Sequence, residues 1–286
     1  MILFFKNGGL GNQILQYSGL QHKFPNQKII LFGFDTLEET LTGINAKVIG
    51  YASNNLILIG VLKRFCGLLC RLRLISYAIE TVFEGAVKIQ VQHGLIRRVI
   101  FVKSCFFQDA IADKVIPDSL ALKAKLMEAA NVDLSALVGQ KIKSYKVFVH
   151  IRRGDYVSFP TKESPAVIPL RWYLENMDYF RNTIRNPIFV VCTDDIPYAE
   201  EAFSGIGDVF IFRGNVSLDF TVMSQCDSGI LSASSFSWCA AFFSNRSRDN
   251  ENLREYRAPE FWLGHKRDKW IPIRFKHNWL EYIRVR

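Results

Sequence analysis

Short apolar runs alternate with helix-like segments in both halves of the chain, and this alternation constrains the fold more than any other feature. The first half opens with the apolar run 1-MILFF-5, a glycine turn, a segment with helical spacing and a second apolar run at 27–34. In the second half, apolar runs occupy 145–151, 187–195 and 208–214, with helical patterns between them. Strand–helix–strand repeats favour parallel sheets. The sequence therefore predicts an α/β fold with two Rossmann-like lobes facing a cleft.

The boundary between the predicted lobes follows a helical pattern at 118–141 that contains a break near Asn131. We place the first domain at 1–143 and the second at 144–286. Apolar residues make up 49% of the 286 residues, which is enough for a substantial buried core.

The chain is basic, with a net charge of +9 from 36 Lys and Arg against 27 Asp and Glu. Most of the excess lies in 1–143. A basic surface favours anionic partners such as nucleotide phosphates, nucleic acid or acidic lipid. We expect no nucleic acid, because the basic residues are dispersed and do not form stripes with aromatic residues.

The cysteines and the N-terminus indicate the compartment. The six cysteines form no C-x-x-C pair, and Cys192 and Cys239 lie in apolar runs, so we expect buried thiols in a reducing environment. The first apolar run has five residues before Lys6, which is too short for a signal peptide or an anchor. These features predict a cytoplasmic protein.

Residues 55–82 form an apolar segment that basic residues interrupt repeatedly. Two interpretations fit it. A helix of this composition can lie on an anionic membrane surface, or one or two core helices can carry basic side chains that extend to solvent. The core interpretation is favoured, because the apolar positions almost surround the helix.

The glycine turn 7-NGGLGNQ-13 separates the first predicted strand from the first predicted helix. Glycines at such a turn let the backbone approach a ligand, and the helix N-terminus offers free amides to an anion. Gly9 and Gly11 begin a dinucleotide fingerprint, but Ile14 stands where its last glycine should be. A tight turn without a ligand is the alternative. The polar pair Asn12 and Gln13 favours a ligand.

Two adjacent arginines end the predicted strand 145–151, in the segment 150-HIRRGDY-156. Guanidinium groups bind phosphate or carboxylate through two hydrogen bonds, and ligands of open α/β sheets bind beyond the carboxyl ends of strands. Arg152 and Arg153 point to opposite faces, so one can reach a ligand while the other is fixed. The alternative is a structural pair of Arg153 with Asp155.

A serine cluster follows a third predicted strand and precedes a helix. Ser234 and Ser235 can cap that helix and offer hydroxyl groups beside its free amides. Upstream, Asp219 can accept hydrogen bonds from two N–H groups, or it can be an ordinary acid in the first helical turn. The five histidines are scattered, so we expect no metal site. Together these sites predict binding of a sugar-nucleotide diphosphate.

Three segments of the chain resemble glycosyltransferase family 11, the α-1,2-fucosyltransferases. They are 8-GGLGNQILQYSGL-20, 150-HIRRGDY-156 and 218-LDFTVMSQCDSGILSASSFSWCAAF-242. Cys239 replaces the second tryptophan of the family pattern, and residues 232–235 also depart from it. The resemblance implies a B-type glycosyltransferase fold, GDP-fucose as the donor, inversion at the anomeric carbon and no cofactor or metal.

The resemblance also implies roles for residues. It places the acceptor on the lobe 1–143 and the GDP-sugar on the lobe 144–286. Arg152, Arg153 and Asp155 are the implied catalytic residues, with Asp194 and Asp227 as other candidates for a general base. Gln13 and Tyr156 are implied to contact the acceptor. The implied donor-binding residues are His150, Arg152, Asp219, Ser234, Ser235, Phe236, Gly9, Gly11 and Asn12.

The expected function is transfer of L-fucose from GDP-fucose to a hydroxyl group of a bacterial surface glycan. The acceptor is expected to be the 2-OH of a galactoside in an oligosaccharide or a lipid-linked glycan such as an O-antigen repeat unit. Peripheral contact with the inner face of the cytoplasmic membrane is a further expectation. The alternatives are another nucleotide sugar or linkage, or a non-catalytic anion-binding protein.

Overall fold

A computed structural model describes residues 1–51, 56–83, 86–103, 116–246, 255–260 and 279–286. The chain divides into two compact units, Met1–Ala121 and Leu122–Arg286.

The first unit contains a six-stranded sheet of mostly parallel strands. The helices and strands up to the unit boundary are β1 (Ile2–Phe5), α1 (Leu10–Lys23), β2 (Ile29–Phe32), α2 (Asp35–Thr40), β3 (Leu41–Thr42), β4 (Lys47–Ile49), α3 (Leu56–Arg71), β5 (Ile75–Phe83), β6 (Ala86–Gln92), β7 (Ile96–Val102) and β8 (Ala121–Leu122). The strand order is β4-β2-β1-β7-β5-β6, and only the β5–β6 hairpin is antiparallel. The strand–turn–helix–strand opening is as predicted.

The segment 55–82 differs from both helical interpretations, because its last part is strand β5. The single helix α3 buries Ile59, Cys66 and Cys70 against the sheet, whereas Phe65 and Leu68 are exposed. The prediction of core helices is therefore wrong for one side of α3. No helix in the described part of the chain combines the length and the apolar character that a membrane span needs.

The second unit contains a six-stranded, fully parallel sheet. Its elements are α4 (Ala124–Val138), β9 (Lys146–Ile151), β10 (Pro160–Thr161), β11 (Ser164–Pro165), α5 (Leu170–Thr183), β12 (Ile188–Thr193), α6 (Ile196–Ala202), β13 (Val209–Ile211), α7 (Val216–Gln225), β14 (Ser228–Ile230), α8 (Ser235–Arg246), β15 (Tyr256–Pro259) and β16 (Leu280–Ile283). The strand order is β13-β12-β9-β14-β15-β16, so β9 lies between β12 and β14.

Side chains of β9 alternate between the two faces of this sheet, as expected for a strand buried on both sides. Val149 and Ile151 pack with residues of α5 and α6. His150 faces the other side, where its ring lies 5.3 Å from that of Phe236 on α8. Phe236 in turn contacts Phe220 on α7. Helices therefore cover both faces.

Helix α4 belongs to the second unit, although the sequence pattern places the domain boundary at 143/144 and the compact units divide at 121/122. The side-chain amide of Gln225 on α7 donates a hydrogen bond to the Met127 carbonyl on α4. The predicted break near Asn131 is wrong, because α4 continues through it. Cys192 and Cys239 are buried free thiols, as predicted.

Candidate functional site

Polar side chains of the second unit converge at the carboxyl ends of three adjacent parallel strands. Arg152 and Arg153 follow β9, and Asp194 and Asp195 follow β12. The stretch 232–235 follows β14 on the other side of β9. Because all three strands run in the same direction, their ends meet at one edge of the sheet, where α/β proteins bind ligands.

Arg152 is held by two carboxylates from different strand ends. Its Nη2 lies 2.6 Å from Asp155 Oδ1, and its Nη1 lies 2.7 Å from Asp194 Oδ2. The guanidinium group also lies 5.6 Å from the ring centroid of Tyr156. The Arg152 side chain remains 36% exposed, and that of Asp155 is 62% exposed. The guanidinium is thus fixed in direction but accessible to a ligand.

Arg153 is fixed by different partners. Its Nε lies 2.9 Å from Asp195 Oδ2, and its guanidinium stacks 3.6 Å from the ring centroid of Tyr198. This ion pair holds the pKa of Asp195 below its ordinary value. The alternative interpretation, a structural pair of Arg153 with Asp155, is therefore wrong, since Asp155 pairs with Arg152 instead. Two guanidinium groups face three carboxylates, which gives this cluster a formal charge of −1.

His150 is buried and neutral. Its Nδ1 lies 2.6 Å from Ser232 Oγ, which follows β14. Burial, reinforced by the nearby charge of Arg152, lowers the pKa of His150 to about 3. The ring can therefore offer or accept a hydrogen bond at neutral pH without carrying a charge.

Tyr156 connects the turn after β9 to the loop after β14. Its hydroxyl donates a hydrogen bond of 2.8 Å to the Ala233 carbonyl. Burial raises the pKa of Tyr156 to about 12. The hydroxyl expected to contact an acceptor is thus already used within the unit, where it holds two of the three strand ends together.

Asp219 is a carboxylate in the first turn of α7 that lacks a partner for one oxygen. Its Oδ1 is buried and has no hydrogen-bond partner among the described residues. Desolvation raises the pKa of Asp219 to about 7, and the Gly214 backbone amide offsets this only in part. A buried, unpaired acceptor of this kind is costly in the free protein and suits a ligand that supplies N–H groups.

Ser234 and Ser235 lie at the N-terminus of α8, where the sequence predicted them. The Ser234 carbonyl accepts the Trp238 N–H, and its Oγ lies 3.3 Å from the Phe236 nitrogen, whose N–H it accepts. Ser234, Ser235 and Phe236 are all partly exposed. The start of this helix therefore presents hydroxyl groups and backbone amides at the same sheet edge as Arg152.

The glycine turn belongs to the first unit. Gly8 has φ of +89°, and a Cβ there would lie 2.2 Å from Asn12 Nδ2, so only glycine fits. Gly9 is the exposed N-cap residue of α1, whereas Gly11 is buried within the helix. Of the predicted glycines, Gly9 is thus the accessible one.

Gln13 does not fit its expected role at an acceptor. Its side chain is 1% exposed, and its Oε1 accepts the Leu37 N–H at 3.0 Å, which anchors α2. Gln16, which was not selected from the sequence, is hydrogen-bonded to the start of the glycine turn. Its buried side chain donates from Nε2 to the Asn7 carbonyl at 2.8 Å and accepts the Asn7 N–H at Oε1.

The sequence of the chain matches the model of Glycosyl transferase family 11 over residues 94–274, which is more than half of its length. The chain belongs to glycosyl transferase family 11. This confirms the predicted family and the predicted glycosyltransferase activity.

Relatives of this family 11 protein include three with informative names. It is 22% identical to the O-antigen biosynthesis glycosyltransferase WbnK of Escherichia coli, over 82% of this chain and 88% of that protein. It is 37% identical to an alpha-1,2-colitosyltransferase of Escherichia coli, over 35% of this chain and 36% of that protein. It is 31% identical to galactoside alpha-(1,2)-fucosyltransferase 2 of Oryctolagus cuniculus, over 40% of this chain and 33% of that protein. The last two matches span about a third of each relative's length.

Two solved structures share the fold of this family 11 protein. The fucosyltransferase NodZ from Bradyrhizobium has a TM-score of 0.50 at 10% identity, covering 84% of this chain and 91% of that one. A glycosyl transferase family 9 protein from Veillonella parvula has a TM-score of 0.50 at 11% identity, covering 90% and 79%. The predicted α/β, B-type glycosyltransferase fold is confirmed.

The structure brings most of the predicted site residues of the second unit to one sheet edge, with two differences. Asp227 lies at the opposite edge, where its Oδ2 accepts the Lys146 N–H at the start of β9. The second difference is that Asp195 and Ser232, which the sequence did not select, contact the predicted site residues Arg153 and His150. Their signal was present, because both lie two residues after the end of a strand that neighbours β9. Among the described residues, no group of three or more His, Cys, Asp or Glu side chains is arranged to hold a metal ion.

Proposed function

We propose that this family 11 glycosyltransferase transfers L-fucose from GDP-fucose, with inversion, to a hydroxyl group of a bacterial surface glycan. The observation that carries the proposal is that Arg152, the N-terminus of α8 and Asp219, whose Oδ1 has no hydrogen-bond partner among the described residues, lie within one unit. These groups match the three parts of GDP that an enzyme must hold: the two phosphates and the guanine base.

Asp219 and His150 are the proposed guanine contacts. Guanine presents two neighbouring N–H donors on its Watson–Crick edge, and a carboxylate accepts both. Asp219 offers a buried oxygen that no described residue pairs with, and its raised pKa of about 7 shows that the free site poorly stabilises its charge. Two donors from guanine would supply what is missing. Neutral His150 can add a hydrogen bond from the neighbouring strand end.

Arg152 and the first turn of α8 are the proposed diphosphate contacts. When the fucosyl C1–O bond breaks, its electron pair stays on the β-phosphate oxygen, so negative charge grows on GDP. A fixed guanidinium and the positive end of the α8 dipole stabilise that charge without reorganising. We propose that these groups act without a metal. Arg153, fixed on Asp195 and Tyr198, positions the chain that carries Arg152.

Asp155 and Asp194 are the proposed acceptors for the proton of the attacking hydroxyl group. Both contact Arg152, and Asp155 is the more exposed of the two, with 62% of its side chain accessible. The acceptor oxygen forms a bond to C1 opposite the departing GDP, and its proton passes to a carboxylate. Asp155 therefore has two roles, because it also orients the guanidinium before the donor binds.

The acceptor and the location are proposed from the relatives and the charge pattern. The similarity to WbnK over most of both chains supports a lipid-linked O-antigen repeat as the acceptor, and the similarity to a galactoside alpha-(1,2)-fucosyltransferase supports the 2-OH of a galactoside. We propose that the reaction takes place in the cytoplasm. The colitosyltransferase relative favours a second candidate, which is transfer of colitose or another sugar from its nucleotide donor.

The test is incubation of the purified protein with GDP-fucose and galactoside acceptors, with product detection by mass spectrometry. Transfer of one deoxyhexose, or slow hydrolysis of GDP-fucose without acceptor, is the expected result. Parallel thermal-shift measurements with GDP-fucose, GDP-mannose and UDP-galactose compare the donors. Stabilisation by UDP-galactose alone, with no turnover of GDP-fucose, would refute the proposal.

A further inference from the structure

One side of helix α3 carries an apolar stripe that faces solvent. Ile57, Val61, Phe65 and Leu68 follow one another at spacings of four, four and three residues, which places them on one face of the helix. Leu72, four residues after Leu68, continues the row in the turn directly after α3, where its N–H still donates to the Leu68 carbonyl. Their exposed fractions range from 49% to 84%. Soluble proteins seldom expose a continuous row of large apolar residues, so this stripe needs an explanation.

The stripe is not required to attach α3 to its own unit. The opposite side of the helix does that through Ile59, Cys66 and Cys70, which are buried in a core cluster with residues of β1, β2, β5 and β7. Helix α3 is therefore apolar on two opposite sides. One side packs against the sheet, and the other side is free to contact a partner.

A neighbouring turn extends the stripe. The Leu95 N–H donates to the Arg73 carbonyl, and the Ile96 N–H donates to the Leu74 carbonyl, each at 2.8 Å. These bonds place Leu95 and Ile96, both exposed, next to the end of α3. The whole surface, here called the apolar ridge, consists of Ile57, Leu58, Val61, Phe65, Leu68, Leu72, Leu74, Leu95 and Ile96. Nine of the fourteen exposed large apolar residues in the described chain belong to it.

The residues around the apolar ridge are basic. Arg64 and Arg71 are seven residues apart and border the stripe along the helix, and Arg73, Arg97 and Arg98 lie near its end. All five are exposed. No acidic residue occurs from 56 to 79. A partner that covers this surface must therefore be apolar in the middle and anionic at the border.

We propose that the apolar ridge docks on the surface of an anionic lipid bilayer. Helix α3 then lies in the plane of the interface, with Phe65 and Leu68 among the upper parts of the acyl chains and the arginines at the lipid phosphates. The contact is peripheral, because α3 has 16 residues and is too short to cross a bilayer. Docking involves only this surface and does not depend on the donor or acceptor proposed above.

The test is flotation of the full-length protein with vesicles. Vesicles of phosphatidylglycerol and phosphatidylethanolamine should carry the protein upwards, and vesicles of phosphatidylcholine alone should carry much less. Joint replacement Phe65→Glu and Leu68→Glu should reduce binding more than tenfold. Joint replacement Arg64→Gln and Arg71→Gln should reduce binding about 25-fold, or about fivefold for each charge lost near the surface.

Val132→Glu is the matched control, because Val132 is an exposed apolar residue on α4 of the second unit. Circular dichroism verifies the fold of every variant. Fucosyl transfer by each variant to a soluble galactoside shows whether catalysis is intact. Equal flotation of wild type and the Phe65/Leu68 double variant overturns the proposal. A second outcome would also overturn it: the wild type binds no vesicles and forms a dimer, and the Phe65/Leu68 double variant is a monomer. That outcome would assign the apolar ridge to contact with a second copy of the chain.

Discussion

Replacing Asp219 with asparagine is expected to stabilise the free protein while weakening its binding of GDP. Desolvation raises the pKa of Asp219 from an ordinary 3.8 to about 7. Three pKa units correspond to about 4 kcal/mol of unfavourable interaction for the ionised form. Because the side chain is partly solvated, we expect a gain of about 2 kcal/mol in the free energy of unfolding when the charge is removed at pH 8.

The stability gained by Asp219→Asn should depend on pH. A carboxyl group with a raised folded-state pKa destabilises the folded protein fully above that pKa and not at all below its unfolded-state pKa. The stability difference between the Asp219→Asn variant and the wild type should therefore be largest at pH 8. It should decline steadily as the pH falls from about 7 to about 4. Urea unfolding at several pH values measures it.

Binding of GDP should respond in the opposite direction. If guanine requires the ionised form of Asp219, the wild-type affinity falls about tenfold from pH 8 to pH 6, and this dependence disappears in the variant. The variant should also bind GDP about 10 to 150 times more weakly, the range for a lost hydrogen bond to a charged group. Isothermal titration calorimetry measures both effects. Asp227→Asn is the matched control, because Asp227 lies at the opposite edge of the same sheet. Unchanged GDP affinity in the Asp219→Asn variant would refute the guanine assignment.

Arg152, Asp195 and His150 lie at the same edge of the sheet, and each can be tested separately. Arg152→Ala should lower kcat/KM for fucosyl transfer about 10- to 150-fold with the fold intact. The control Arg171→Ala removes an exposed arginine on α5 and should leave kcat/KM unchanged. Equal kcat/KM values for Arg152→Ala and the wild type would exclude a phosphate contact of Arg152. Asp195→Ala removes the N-cap of α6 and the partner of Arg153, so the urea concentration at the midpoint of unfolding should fall. An unchanged midpoint would contradict the observed cap. The chemical shifts of the His150 ring should stay constant in NMR spectra from pH 8 to pH 5, because the pKa of this group is about 3. A titration midpoint near pH 6.5 would show that the ring is not buried.

The order of strands and helices near the site could be predicted from the sequence because the signals are local. Five of the seven residues of the run 145–151 are apolar or aromatic, and a strand buried on both faces favours such a composition. The arginines follow it directly, so their place at a strand end was also predictable. The serines before α8 were predictable for the same reason, since helix caps are determined by a few neighbouring residues.

The partners of the arginines could not be predicted, because they depend on strand order. Asp194 is 42 residues from Arg152 in the chain, and only the pairing of β12 with β9 brings them together. Sequence proximity favoured Asp155 as the partner of Arg153, and the turn after β9 directs it to Arg152 instead. The exposed side of α3 was missed similarly, because a helix that is apolar all round looks like a core helix until its neighbours are known.

Arg152 holds two carboxylates in the free protein, and this has a consequence for selectivity. When a diphosphate binds there, it replaces a carboxylate of the protein as the partner of the guanidinium. Few small counter-ions are therefore released from Arg152 into solution. Affinity for the donor should then depend only weakly on ionic strength, although the chain as a whole is basic. Sulfate or a polyanion that competes by charge alone gains little at such a site. The resident carboxylates thus favour a ligand that offers the right geometry over one that offers only negative charge.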